Sequence, residues 1–346
     1  MQPATETKVI LITRRTRLED LAARFNTVSQ ARFYVEHLGA DFEDYVREDK
    51  TYRDALTETT ATLSRLGRVH VMERTFLPNY VFGPQDIIVT LGQDGLVANT
   101  LKYLHGQPVL GVNPDPARWD GQLLPFRVAD LTKVLPEVFA RRRPIKEVKM
   151  ARAALNDGQS LLAVNDLFIG VRNHSSARYI IESGGRREQH SSSGVIISTG
   201  LGSTGWLKSL LNGAAGIVRG LAHDRGVQAD PVQQFATPPD QRAGQKRGQQ
   251  RGKKGRGPQA APLVETTFAW DAPHLYFTVR EPFPSSTTGA ELVFGRVSAQ
   301  QPLRFESLMA EGGVIFSDGI DKDFLNFNSG TKADITIADK TGHLVV

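Results

Sequence analysis

The chain has no cysteine among its 346 residues, which excludes disulfides, thiolate metal sites and a cysteine nucleophile. No apolar run approaches the roughly 20 residues needed to cross a bilayer. The first residues, Met1-Gln2-Pro3-Ala4-Thr5-Glu6-Thr7, lack the basic and apolar regions of a secretion signal. A reducing cytoplasm is therefore the expected setting, with no membrane partner. The eight histidines are scattered with no pair at ligand spacing, so no metal ligands are assigned. There is no G-x-x-x-x-G-K-[ST] segment, which excludes a P-loop, and no H-E-x-x-H or Ser/His/Asp arrangement.

The formal charge of +5 sits in one place. Residues 241–257 hold Arg242, Lys246, Arg247, Arg251, Lys253, Lys254 and Arg256 and no acid; without these seven cations the charge is −2. The low-complexity stretch 233–262, rich in Gln, Gly, Lys and Arg, cannot bury apolar surface and is expected to be a disordered tether. The alternative is a basic arm that touches RNA, DNA or an anionic protein. It lacks the interleaved aromatics of a single-strand stacking platform. Outside this stretch nothing suggests nucleic-acid binding.

The central signal is Asp86-Ile87-Ile88-Val89-Thr90-Leu91-Gly92-Gln93-Asp94-Gly95-Leu96. A β-branched apolar run breaks into Gly-Gln-Asp-Gly, and helical spacing follows over 97–104. Glycines let backbone approach a ligand, a helix start offers N–H groups to an anion, and an acid there can act as a general base. The plainer reading is a surface turn whose Asp caps the helix. Further strands are expected at 8–13, 68–72 and 108–113, with a helical segment over 17–66. Strands alternating with helices indicate a parallel sheet, with ligands beyond the C-terminal strand ends. The turns at Thr13-Arg14-Arg15, Gly92 to Gly95 and Asn113-Pro114-Asp115 fall there.

After about Arg143 the pattern becomes mainly antiparallel β. Strands are expected over 147–155, 161–169, 177–182, 194–198, 275–279, 292–297, 303–308, 314–316 and 335–337, with a hairpin at Asn156-Asp157-Gly158. The densest polar signal is Ser198-Thr199-Gly200-Leu201-Gly202-Ser203-Thr204-Gly205-Trp206. A strand runs into glycines and hydroxyls before a helix, the makings of a phosphate cradle. Gly200, Gly202 and Gly205 match G-x-G-x-x-G formally, but no βαβ unit follows, so this is no dinucleotide fingerprint. Asn165-Asp166 opens a strand, where the pair can hold ribose hydroxyls or form a plain Asx turn.

Together these segments resemble the NAD kinase family, within the larger group that includes diacylglycerol kinases. The family shows Gly-Gly-Asp-Gly-Thr, Gly-Val-Asn, an Asn-Glu strand start and a Ser-Thr-Pro-Thr-Gly-Ser-Thr-Ala-Tyr loop, in that order. The chain has Gly92 to Leu96, Gly111-Val112-Asn113, Asn165-Asp166 and Ser198 to Trp206. Asn113-Pro114-Asp115-Pro116-Ala117-Arg118, Ser192-Ser193-Gly194 and Arg280-Glu281-Pro282 bring the likeness nearest to the mitochondrial-type branch.

The resemblance implies an α/β Rossmann-like domain over 1–143, a mainly antiparallel β domain over 144–325, and a tail, 326–346, that returns to the first domain. It implies ATP-dependent phosphorylation of the adenosine ribose 2′-hydroxyl of NAD, by a homodimer or larger. Asp94 matches the catalytic base. Gly92, Gly95, Asn113, Asn165, Asp166, Thr199, Gly200, Gly202, Ser203 and Thr204 match the binding positions, and Mg²⁺ would neutralise the transferring phosphoryl group. Gln93 and Leu96 depart from the family's Gly and Thr, and Leu cannot donate a hydrogen bond to phosphate. These departures keep open a kinase of a sugar or lipid hydroxyl and a non-catalytic NAD(P) sensor.

Overall fold

The computed structural model describes residues 7–224, 267–320 and 322–346. The expected tether at 233–262 lies outside the described residues, as does nearly all of the N-terminal stretch 1–7.

The first part of the chain runs β1 (Lys8–Thr13), α1 (Arg17–Phe25), α2 (Val28–His37), α3 (Phe42–Leu66), β2 (Arg68–Glu73), β3 (Ile87–Leu91), α4 (Asp94–Leu101), β4 (Pro108–Asn113), β5 (Phe126–Arg127) and α5 (Leu131–Phe139). β2, β1, β3 and β4 lie side by side and parallel. β3 is buried at every position, as a parallel strand covered on both faces must be. Alternate side chains serve different layers. Val9, Leu11, Val89 and Leu110 pack with Tyr52 and Leu63 of α3 and with Leu131 and Leu135 of α5. Ile10, Ile12, Ile88 and Val109 face the other way, onto α4.

The second part runs β6 (Ile145–Leu155), β7 (Ser160–Ala163), β8 (Asp166–Val171), β9 (Ala177–Ser183), β10 (Arg186–Ser192), β11 (Val195–Ser198), α6 (Trp206–Asp224), β12 (Leu275–Val279), β13 (Phe294–Val297), β14 (Leu303–Ser307), β15 (Gly313–Ser317), β16 (Phe324–Asn326) and β17 (Lys332–Val345). β13, β12, β11, β8, β15 and β16 form an antiparallel sheet. Its apolar face, with Ile169, Ile197, Phe277 and Ile315, packs on Ala153, Ile181 and Phe305 of the other sheet. The two-part α/β and antiparallel architecture is the one the sequence implies.

β17 joins the parts. It pairs antiparallel with β6 and β14, and parallel with β4 through His343–Pro108 and Leu344–Val109. Among the described residues the parallel strands and β6, β7, β9, β10, β14 and β17 thus belong to one eleven-stranded sheet.

Two expectations change. The single strand over 161–169 is two, β7 and β8, broken at Val164-Asn165. β10 follows the Gly184-Gly185 turn without an apolar signal, since an edge strand of sequence Arg-Arg-Glu-Gln-His-Ser-Ser needs no second buried face. No helix among the described residues is long and apolar enough to cross a membrane.

Candidate active site

The Gly-Gln-Asp-Gly turn lies where β3 hands over to α4. Gly92 is tight: a Cβ there would stand 2.9 Å from the Leu96 side chain and against Arg14. Gly95 has open space and is exposed. The N-cap is Gln93, whose side chain makes no capping bond, and Asp94 is the first helical residue. The plainer reading of Asp94 as a helix cap therefore does not hold. Its carboxylate instead accepts hydrogen bonds from the backbone N–H groups of Gln122, at 3.2 Å, and Leu123, at 2.8 Å. Asp94 thus ties the loop after β4 to the start of α4. Each oxygen accepts one amide, and a carboxylate has about four lone-pair sites, so acceptor capacity remains.

Asn113 shapes the same loop. Its Oδ1 accepts from the Asp115 N–H at 3.0 Å and its Nδ2 donates to the Trp119 carbonyl at 2.8 Å. Its side chain, expected to reach the ligand, is committed to backbone. Arg14, at the end of β1, is committed too: it pairs with Glu48 at 2.6 Å and lies over the Tyr52 ring.

Leu96 has a structural explanation. It is 2 % exposed and packs among Val97, Leu123, Val164 and Leu201. Its side chain fills the core, so a threonine here would bury a hydroxyl and leave a void. Leu96→Thr should cost about 2–4 kcal/mol in urea unfolding, without raising activity.

The second turn is built on Val164, Asn165 and Asp166. The Thr199 hydroxyl donates to the Val164 carbonyl at 2.5 Å, and the Thr199 N–H to the Asn165 carbonyl at 2.9 Å. Gly202 N–H donates to Thr199 Oγ1 at 3.1 Å, and the Ser203 hydroxyl to the Gly200 carbonyl at 2.6 Å. The hydroxyls of Thr199 and Ser203, expected to face a ligand, are thus spent inside the loop, and both residues are fully buried. Thr204 is exposed at its end. Close approach explains two glycines: a Cβ on Gly200 would stand 1.9 Å from the Ala269 carbonyl oxygen, and one on Gly202 2.2 Å from that of Asn165.

These turns meet. Leu96 and Val97 of α4, Leu123 and Leu124 of the loop tied by Asp94, Val164 beside Asn165, and Leu201 of the glycine loop belong to one apolar cluster. Beside it Asp166, Phe168, Trp206, Arg280, Phe316 and Gly319 line a cavity of ≈ 280 Å³. Phe168 lies edge-on to Trp206 and stacked toward Phe316, each with ring centroids 6.3 Å apart. Phe168 and Phe316 are not site residues in the sequence reading; in a strand the same aromatics read as core.

Asp166 has one carboxylate oxygen sealed from solvent and without a hydrogen-bond partner. Burial, together with the nearby Asp318 charge and against a hydrogen bond from Ser198, pushes its carboxyl up to about 7. An unfolded aspartate titrates near about 3.9, so the folded state favours the neutral acid. That contribution to stability is complete below about pH 4 and is lost as pH rises through about 7. Asp166→Asn should flatten this part of the stability profile, read as Tm against pH.

No protein-family model matches the chain, and no curated protein matches it. Solved structures do. An NAD kinase from Archaeoglobus fulgidus, in complex with ATP, superposes with a TM-score of 0.51 at 14 % identity, over 98 % of this chain and 94 % of that one. Yeast NADH kinase, complexed with NADH, gives 0.54 at 14 % identity, over 99 % and 84 %. The likeness is one of fold, and it extends through both parts of the chain.

Proposed function

We propose that this chain is an ATP-dependent kinase that phosphorylates the adenosine ribose 2′-hydroxyl of NAD to give NADP. The observation that supports the reading is the apolar cluster shared by the segments next to these turns: Leu96 and Val97 beside Asp94, Val164 beside Asn165-Asp166, and Leu201 between Gly200 and Gly202. The shared fold with an ATP-bound NAD kinase and an NADH-bound NADH kinase supports it. So do the ordered motifs, of which Asn113 to Arg118 and Arg280-Glu281-Pro282 favour the mitochondrial-type branch.

In this reading Asp94 takes the proton of the 2′-hydroxyl with its free lone pairs. Asn165 and Asp166 hold the ribose hydroxyls, and an aromatic-walled cavity beside Asp166 suits a flat ring. Thr199 and Ser203 hold the glycine loop in shape, and its backbone meets the phosphates. Among the described residues no group of three or more His, Asp or Glu stands together as a metal site. Mg²⁺ would enter on the phosphates of ATP, where it offsets charge during transfer. An ionised Asp166 accepts more strongly from a ribose hydroxyl than the neutral acid does. NAD affinity should therefore rise between pH 6 and 8 in the wild type and stay flat in Asp166→Asn, by calorimetry.

The test is chromatographic detection of NADP or NADPH after incubation with ATP, Mg²⁺ and either NAD or NADH. Product phosphorylated at the 2′ position is expected. Binding without turnover would favour the sensor. ATP consumption only with a sugar or lipid acceptor would move the chemistry to that class.

A further inference from the structure

Asp318 lies in the turn between β15 and β16, with φ +53°, in the left-handed region that non-glycine residues seldom occupy. Such a backbone persists where its surroundings over-determine it, and here they do. The Asp318 carboxylate accepts from three successive backbone N–H groups, those of Val164 at 3.1 Å, Asn165 at 2.6 Å and Asp166 at 3.3 Å. Its own N–H donates to the Asp166 carbonyl at 2.9 Å. Lys102 closes the arrangement from the first part of the chain. Its ammonium lies 3.1 Å from Asp318, donates to the Ser317 hydroxyl at 2.8 Å, and pairs with Asp323. The Lys102 and Asp318 side chains are 5 % and 2 % exposed.

Lys102 follows directly on α4, the helix that Asp94 begins. An eight-residue helix is about 12 Å of rigid backbone. One continuous chain of contacts therefore runs from Asp94 along α4 to Lys102, across to Asp318, and into Asn165 and Asp166. Burying an ion pair is costly unless every donor and acceptor is used, and this pair uses them on the second turn of the site.

We propose that Asp318, held by Lys102, is a positioning residue: it fixes the Asn165-Asp166 turn relative to the helix of Asp94, and so sets where the ribose of a bound dinucleotide stands against that acid. The ribose part rests on the kinase reading; the strut itself does not.

Asp318→Asn in the full chain isolates the carboxylate, because asparagine tolerates the left-handed region. Its one amide oxygen cannot serve three N–H groups, and its NH₂ would face donors. Lys102→Met keeps the amide contacts of Asp318 and removes the ammonium that joins Asp318, Ser317 and Asp323 to α4. In hydrogen–deuterium exchange of the free protein, the amides of 164–166 should exchange about tenfold faster or more in Asp318→Asn, with those of β1 and β3 unchanged. Lys102→Met should move them in the same direction, by less. The KM for NAD should rise about tenfold with a smaller change in kcat, and the midpoint of pH-dependent NAD binding should shift to lower pH as a charge near Asp166 is removed. A general loss of stability would not move that midpoint. Unchanged exchange at 164–166 in both variants would overturn the strut. Faster exchange with wild-type KM and midpoint would overturn its role in placing the ribose. A wild-type chain that binds no NAD removes the kinase reading instead, and the exchange measurement still decides the strut.

Discussion

Asp94→Asn should lower kcat for NADP formation by about 10²–10⁴-fold if the proposed kinase reading holds, the range expected when a positioned general base is removed. Asparagine keeps the size of the side chain and one oxygen to accept the Leu123 N–H, now at 2.8 Å. Its NH₂ group meets the Gln122 N–H, now hydrogen-bonded at 3.2 Å, so one bond to the loop is lost. That loss should cost about 1–2 kcal/mol of stability. A domain stable by about 5–15 kcal/mol stays folded after such a change, so unfolding cannot account for a hundredfold fall in rate. Stopped assays of NADP with the variant, beside its urea midpoint, separate the two. A rate loss that only tracks the stability loss would leave Asp94 as a loop anchor and nothing more.

Gly202→Ala is the second large effect, and it acts through space. The added methyl would stand 2.2 Å from the Asn165 carbonyl oxygen, 2.6 Å from its carbon and 2.8 Å from Asp166 Oδ1. Backbone cannot yield as a flexible side chain does, so the glycine loop must lift off the second turn. Overpacking of this kind costs about 1–3 kcal/mol. Lifting the loop also strains the bonds from Thr199 to Val164 and Asn165. The expected result is NAD affinity weaker by about tenfold or more, measured by calorimetry, with a lowered Tm. Gly213→Ala, on the exposed face of α6, is the control: beyond its own helix and chain neighbours no atom lies within 4 Å of the site of its Cβ, and little should change.

What the sequence makes legible is what short-range pattern controls. β1, β3 and β4 are apolar runs buried on both faces, and the Gly-Gln-Asp-Gly and glycine–hydroxyl segments announce themselves by local composition. The partners of these segments are another matter. Asp94 is held by amides 28 and 29 residues away, and Asp318 by amides 152 to 154 residues away. No spacing rule reaches that far. The Ser-Asp-Gly at 317–319 repeats the strand-then-acid-then-glycine pattern of Leu91 to Gly95, and that likeness could have marked it. β17 shows only its apolar centre, Ile335 to Ile337, in the sequence. Between that run and Leu344-Val345 lie the polar Asp339, Lys340, Thr341 and His343, and pairing with β4 and β6 holds the whole strand in the sheet. The direction of the Thr199 and Ser203 hydroxyls, inward rather than toward a ligand, is likewise set by carbonyls that only the folded loop supplies.

One distance tests the kinase reading most directly. A crystal structure of the protein with NAD should place the adenosine 2′-hydroxyl oxygen within hydrogen-bond reach of the Asp94 carboxylate, about 2.6–3.2 Å or through a single water, with the ribose against Asn165 and Asp166. NAD bound elsewhere, or in this cleft with that hydroxyl turned away from Asp94, would contradict it.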